Sequence, residues 1–357
     1  MSESDPRIEA YARLLVERCI DPERGWHVLV ATTTDARPLA EELSRQLARR
    51  GAYALTRIHF GGLYPLDVSW LTAAPPELAL VLPPLEQHVV DRVDGSIFVL
   101  APSDPPADAD LTPEQRRGFR AQFSAYRARG RAGAAREVRC DFPTPHFARQ
   151  AGLSLAEYED VFYEACLRDW DEEGRRMQPV LERFDRAEEV RIVGEGTDLR
   201  LSLAGRRGRI DDGHVNVPGG EVFFCPAEDS PEGVIEFDFP SGKVERARLV
   251  LRGGEVVEAS AAAGEDALLA ALETDEGSRR FGELGLGCND GITRHLRNVL
   301  FDEKMAGTVH LALGAGFPMI GGRNESALHW DLVKDMRTGG ELWCDGAVVQ
   351  RDGRWVF

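Results

Sequence analysis

Apolar positions change their period near the middle of the chain, and the change divides the predicted elements. Over Ile8 to Cys19 they recur at helical spacing, and Pro38 to Arg50 puts Leu39, Leu43 and Leu47 on one stripe, closed by Gly51 as a C-cap. Between these helices, Trp26 to Ala31 is a nearly continuous apolar run, the pattern of a strand covered on both faces. Tyr53 to Phe60 and Ser96 to Ala101 are the next strands. Strand, helix, strand in this order predicts a parallel α/β layer. Thr112-Pro113-Glu114-Gln115 and Ser154-Leu155-Ala156-Glu157 read as capped helix starts, the second opening a long helical stretch towards Phe184.

Beyond residue 187 short alternating runs take over. Glu189 to Val193, Leu199 to Leu203 and Val234 to Phe239 read as strands. Glu245 to Leu251 and Glu255 to Ala259 flank Arg252-Gly253-Gly254, and Glu341 to Trp343 and Ala347 to Gln350 flank Asp345-Gly346; both read as hairpins. Asp266 to Glu273 is a short helix. The expected fold is an α/β N-terminal layer domain, residues 1–187, followed by a strand-rich α+β catalytic domain, residues 188–357. A length of 357 residues, beyond what one core usually fills, agrees with two domains.

Composition narrows the chemistry. With 43% hydrophobic and 29% charged residues the chain is ordinary for a globular protein. A formal net charge of -17 repels nucleic-acid phosphates and anionic lipid, so neither is an expected partner. No stretch approaches the roughly 18 apolar residues of a membrane span. The start, MSESDPRIEA, has no apolar segment behind a basic end, so the expectation is a cytoplasmic protein. The six cysteines form no C-x-x-C pair and read as reduced structural thiols. The turn after the first strand, TTTDARP, lacks the glycines of a dinucleotide site, and no P-loop is present. Lysine occurs only as Lys243, Lys304 and Lys334 in an arginine-rich chain.

Four glycine-flanked segments in the second half hold histidines and acids. In Asn216-Val217-Pro218-Gly219-Gly220-Glu221 a tight bend releases a carboxylate directly; alone, Glu221 reads as a solvated loop acid. In Phe281-Gly282-Glu283-Leu284-Gly285-Leu286-Gly287, Glu283 sits in an apolar strand and needs a cation, either a metal or an arginine. In Thr308-Val309-His310-Leu311-Ala312-Leu313-Gly314, alternation gives Val309, Leu311 and Leu313 one face. His310 shares the other with small residues, which leaves room beside it, although a lone strand histidine is more often a hydrogen-bonded core residue. In Ser326-Ala327-Leu328-His329-Trp330-Asp331, His329 and Asp331 point the same way, as a metal-binding unit or as a hydrogen-bonded pair. Two histidines and three carboxylates are the inventory for two divalent ions, zinc, cobalt or manganese, sharing a carboxylate. Two such ions acidify a bridging water and clamp attacking and carbonyl oxygens, which suits hydrolysis of an amide or a phosphate ester.

At these segments the sequence resembles the M29 peptidase family, the aminopeptidase T and aminopeptidase S group. The matching stretches are DGHVNVPGGEVF, GELGLGCNDGITRHLRNVLFDEKMAGTVHLALG, NESALHWDLVKDMR, GEGTDLRLSL and FPTPHFARQAGLSLAEYED. The resemblance implies a metal-dependent aminopeptidase with two divalent ions, zinc or cobalt before manganese or magnesium. It implies Glu221, Glu283, His310, His329 and Asp331 as ligands, short peptides as substrates, and a homodimer with an enclosed cavity. Glu303 matches a recurring acid of the family and is a candidate proton shuttle or a salt-bridge partner of a nearby arginine. One position departs: the family's metal-site tyrosine, seven residues after His310, is Phe317 here. A phenyl ring neither ligates nor donates a hydrogen bond. The alternatives are another metal-dependent amidohydrolase and a low-activity, non-catalytic binding protein.

Overall fold

The computed structural model describes residues 5–60, 68–79, 81–103, 112, 115, 125, 129 and 133–357. The chain is a mixed α/β protein with several sheets, divided into two compact units: Met1–Leu167 with Gly213–Val217, and Arg168–Asp212 with Pro218–Phe357.

The first unit is built on a five-stranded, all-parallel sheet in the order Tyr53–His59, His27–Thr33, Gly95–Leu100, Arg136–Asp141, Asn216–Val217. Its strand His27–Thr33 is buried at every position after the first, as a continuous apolar run requires. The helix Arg37–Arg49 buries Leu39, Leu43 and Leu47, the predicted stripe. The helix Pro6–Leu14 runs on through a wider π turn, Leu15–Ile20, and stops at Asp21 with φ 38°. Thr112 and Gln115 exchange the reciprocal cap hydrogen bonds at 2.8 and 3.3 Å; most of the segment that follows lies outside the described residues.

The long helix expected from Ser154 to Phe184 is two helices, Leu155–Cys166 and Trp170–Asp185. Ser154 and Glu157 form the predicted capping box of the first. The break falls at Asp169, whose carboxylate accepts the Glu172 N–H at 3.0 Å and so starts a second helix. A side chain that caps a helix competes with continuing one.

The second unit holds two antiparallel sheets. One has eight strands, from Glu255–Ser260 at one edge through Arg248–Arg252, Glu232–Glu236, Thr197–Ser202, Glu189–Gly194, Glu341–Cys344 and Ala347–Arg351 to Arg354–Trp355. Both predicted hairpins are in it; the second turns at Asp345 and Gly346, both with positive φ, the I′ geometry that Asp-Gly favours. The other sheet has five strands in the order His329–Asp335, Thr308–Gly314, Phe281–Gly287, Glu221–Phe224, Arg209–Asp211.

One apolar core draws on both sheets. Leu199, Leu201, Ile235 and Leu249 come from the larger; Val222, Phe224, Leu284, Leu286, Val309, Leu311 and Leu313 come from the smaller. Each fully buried side chain of this kind contributes about 1.5–3 kcal/mol. The commitment of these positions to the core turns their alternates to the opposite face of the five-stranded sheet. No disulfide joins any of the six cysteines. Among the described residues no helix is long and apolar enough to cross a membrane.

Candidate metal centre

That opposite face carries all five predicted ligands. Asp331 lies across from Ala312, and Ala312 across from Glu283; His310 lies across from Gly285, and Glu221 across from Gly287. Small residues therefore separate the functional side chains and leave space above the sheet. Gly285 is sterically required: a Cβ there would stand 1.8 Å from His310 Cε1.

The side chains gather into two trios, Glu221–Glu283–His310 and Glu283–His329–Asp331, whose donor atoms lie within 4.8 Å of one another. Glu283 belongs to both. Its Oε1 is 3.7 Å from His310 Nε2, and its Oε2 is 3.2 Å from His329 Nε2. Glu221 Oε2 stands 3.4 Å from His310 Nε2, and Asp331 Oδ1 3.7 Å from His329 Nε2. Such separations suit ligands that each stand about 2 Å from a shared ion. The ring orientations are fixed from behind. His310 Nδ1 is 3.0 Å from the Glu303 carbonyl and His329 Nδ1 is 2.9 Å from the Ala315 carbonyl. With Nδ1–H donating to a carbonyl, each Nε2 faces the carboxylates and is the nitrogen that would ligate a cation once its proton is displaced.

The residues fit divalent cations on a specific ground. Glu221 Oε2 and Asp331 Oδ1 are buried and accept no hydrogen bond from the described residues, and both face a histidine Nε2. Leaving such oxygens unsatisfied costs free energy that a cation would recover. Three carboxylates and two imidazoles are the borderline-hard donors that zinc, cobalt or manganese take.

Protonation in the metal-free protein reflects the crowding. Burial raises Glu221 well above the carboxylate range, only partly offset by Lys304 and His310. Burial also raises Asp331, against the pull of His329. Burial opposes ionisation of Glu283 too, but hydrogen bonds from His310 and His329 outweigh it and hold that carboxyl low. Burial lowers both histidines, yet the facing acids (Glu283 and Glu221 for His310, Asp331 and Glu283 for His329) bring each up to about 10.

The salt-bridge reading expected an arginine; among the described residues Glu303 meets none, and its carboxylate makes a close ion pair with Lys304 Nζ. Its charge also raises Glu221 and Asp331, so it stands beside both trios without belonging to either. Phe317 packs against the site: its ring centroid is 5.2 Å from that of His329 and 5.5 Å from that of Phe223. The side chains the sequence reading missed are Lys304 and Asp211. Lys304 Nζ is 3.1 Å from Glu221 Oε1 and 3.7 Å from Asp211 Oδ2. One signal was available: in a chain with 43 basic residues only three are lysines, and one of them follows Glu303.

A family model described as thermophilic metalloprotease (M29) matches residues 4–355. Aminopeptidase AmpS of Bacillus subtilis is 24% identical over the whole of both chains. Aminopeptidase T of Thermus thermophilus is 28% identical over 98% of each chain. A solved structure of wild-type AmpT from Thermus thermophilus superposes with a TM-score of 0.83, covering 99% of each chain at 25% identity. A 2,5-dihydroxypyridine dioxygenase from Pseudomonas putida superposes with a TM-score of 0.59 at 14% identity, over 98% of this chain and 96% of that one; this likeness is of fold alone.

Proposed function

The chain belongs to the thermophilic metalloprotease (M29) family and is a metal-dependent aminopeptidase; from that premise we propose that Glu221, Glu283, His310, His329 and Asp331 hold two divalent cations and that the protein removes N-terminal residues from short peptides. The observation that carries the two-cation reading is Glu283, whose two oxygens face different histidines at 3.7 and 3.2 Å. Zinc and cobalt suit the imidazoles best, with manganese and magnesium as harder alternatives.

When bound, the cations supply an acidified water, polarise the scissile carbonyl and anchor the free α-amine. The residues of the chain do the rest. Glu283 would offer one oxygen to each position. The carbonyls of Glu303 and Ala315 keep His310 and His329 in the ligating tautomer. His329 is 33% exposed and His310 only 1%, so substrate reaches the site from the His329 side, past the rings of Phe317 and Phe223. Glu303 is the proton carrier in this scheme: it takes a proton from the attacking water and delivers it to the leaving nitrogen as the C–N bond breaks. The products are a free amino acid and the shortened peptide.

The catalytic domain in this reading is the strand-rich second half. The family resemblance adds a cytoplasmic homodimer, whose stoichiometry light scattering reads directly. The main test removes metal with a chelator and assays an amino-acyl anilide beside its N-acetylated counterpart. Activity should vanish with the metal, return on adding zinc or cobalt, and be confined to the free-amine substrate. Unchanged cleavage after verified metal loss would end the metal reading. Equal cleavage of the blocked substrate would make the protein another amidohydrolase, the alternative that Phe317 motivates.

A further inference from the structure

Lys304 lies at the inner end of the metal centre with no exposed surface. It follows the short helix Val299–Asp302, and its backbone is pinned at both ends: its N–H donates to the Phe301 carbonyl at 3.0 Å, and its carbonyl accepts the Asn289 N–H at 2.9 Å. Asn289 in turn donates from Nδ2 to the Gly219 carbonyl at 3.0 Å, two residues before Glu221. The ammonium is therefore held against the bend that delivers Glu221. It meets three carboxylates, Glu221 Oε1 at 3.1 Å, Asp211 Oδ2 at 3.7 Å and Glu303 in a closer pair. Asp211 and Glu221 are cross-strand neighbours, so two of the three acids stand side by side on adjacent strands.

This arrangement divides the labour of the Glu221 carboxylate. One oxygen is taken by Lys304, and only Oε2 faces His310. Glu221 can then offer a cation one oxygen, and its second lone-pair set is unavailable for a chelating or bridging mode. The other trio has no counterpart: among the described residues neither Glu283 nor Asp331 pairs with a lysine or arginine, and their partners are His310 and His329. Burial follows the same division, since His310 is 1% exposed and His329 33%. Lysine suits the role better than the arginine used almost everywhere else in the chain. A compact ammonium with three donors can sit among three carboxylates, whereas a planar guanidinium needs a fork-shaped partner.

We propose that Lys304 is a positioning residue that holds Glu221 in a single-oxygen ligand geometry, so that the inner cation position (Glu221, Glu283, His310) depends on Lys304 and the outer one (Glu283, His329, Asp331) does not. This rests on the two-cation reading above. Removing a group that orients a ligand from behind costs about 10- to 100-fold in metal affinity.

The test compares wild type with Lys304→Met, both stripped with a chelator and titrated with zinc. Metal per chain is counted by plasma mass spectrometry, and the occupied position is located by anomalous diffraction at the zinc edge. Wild type should take two ions. The variant, with its fold checked by circular dichroism, should keep the outer ion at near wild-type affinity and bind the inner one about 10- to 100-fold more weakly. A merely structural lysine would lower the melting temperature without separating the two positions. Equal affinities at both positions, or equal weakening of both, would overturn the proposal. Fewer than two ions in wild type would instead bring down the two-cation reading, and this inference with it. If the variant does not fold, the zinc-loaded wild-type crystal decides. Glu221 Oε2 on the ion with Oε1 on Lys304 supports the proposal; both oxygens on the ion, or Lys304 turned away, refutes it.

Discussion

Glu283 carries more of the site than any other side chain, because each trio needs one of its oxygens. Removing its charge should therefore affect both cations, whereas Glu221→Gln should affect the inner one alone. Glu283→Gln is expected to drop bound metal from two ions per chain to none at micromolar zinc. Lewis-acid activation is worth several kcal/mol, and each 1.36 kcal/mol is tenfold, so kcat/KM should fall by about 10³-fold. Metal counting with steady-state kinetics checks both; a Glu283→Gln protein that keeps one tightly held ion would contradict the shared-ligand geometry. At this scale the sequence displayed all five candidates. It did not display Lys304, because a lysine beside a glutamate in Asp302-Glu303-Lys304 looks like a solvated surface pair. Only packing put it at 0% exposure beneath Glu221. Phe317 was visible as a departure from the resembled family, but its tilted packing against His329 depends on how the loop after Gly314 turns back.

Among the elements, the strand Phe281–Gly287 shows how far alternation goes as a guide. Leu284 and Leu286 enter the core and Glu283, Gly285 and Gly287 face away, as a period of two requires. Strict alternation would also put Phe281 on the face of Glu283. Instead Phe281 is in the core, because the register shifts between Phe281 and Glu283, where Gly282 is the extra residue. A bulge of this kind re-aims a side chain at a site edge. Gly282 permits it: a Cβ there would meet the Ala315 carbonyl at 2.3 Å. The neighbouring glycine gives a sharper prediction. Gly285→Ala places a methyl group inside the His310 ring position, so His310 must leave its place. The expected result is loss of the inner ion, retention of the outer ion, and destabilisation of about 1–3 kcal/mol from overpacking. Calorimetric melting and zinc titration read these separately, and an unaltered inner affinity would mean that His310 does not bind there.

For the whole molecule, the site couples protonation, metal and stability. In the metal-free protein His310 and His329 titrate near 10 instead of their ordinary 6.5, because acids face them. A histidine whose pKa is raised by folding adds stability that is complete below pH 6.5 and is lost as pH rises to about 10. The metal-free protein should therefore melt at progressively lower temperature across that window. Each cation must displace a proton from an imidazole, so zinc affinity should rise with pH over the same range, and binding should release protons. Calorimetry in buffers of different ionisation enthalpy measures that release; binding with no proton exchange at pH 7 would mean that the imidazoles are not ligands. What the sequence determined by itself was local: the strand and helix periods, the caps at Thr112 and Ser154, and the two glycine hairpins; it also displayed the five candidate donors in ordered blocks. These depend on neighbours within a few residues, where period and capping chemistry act. Tertiary structure alone decided the bulge at Gly282, the sharing of Glu283 between two trios and the burial of Lys304. Each depends on which strands lie side by side and in what register, and in a chain whose candidate donors span residues 221 to 331 that is settled by packing of the whole sheet.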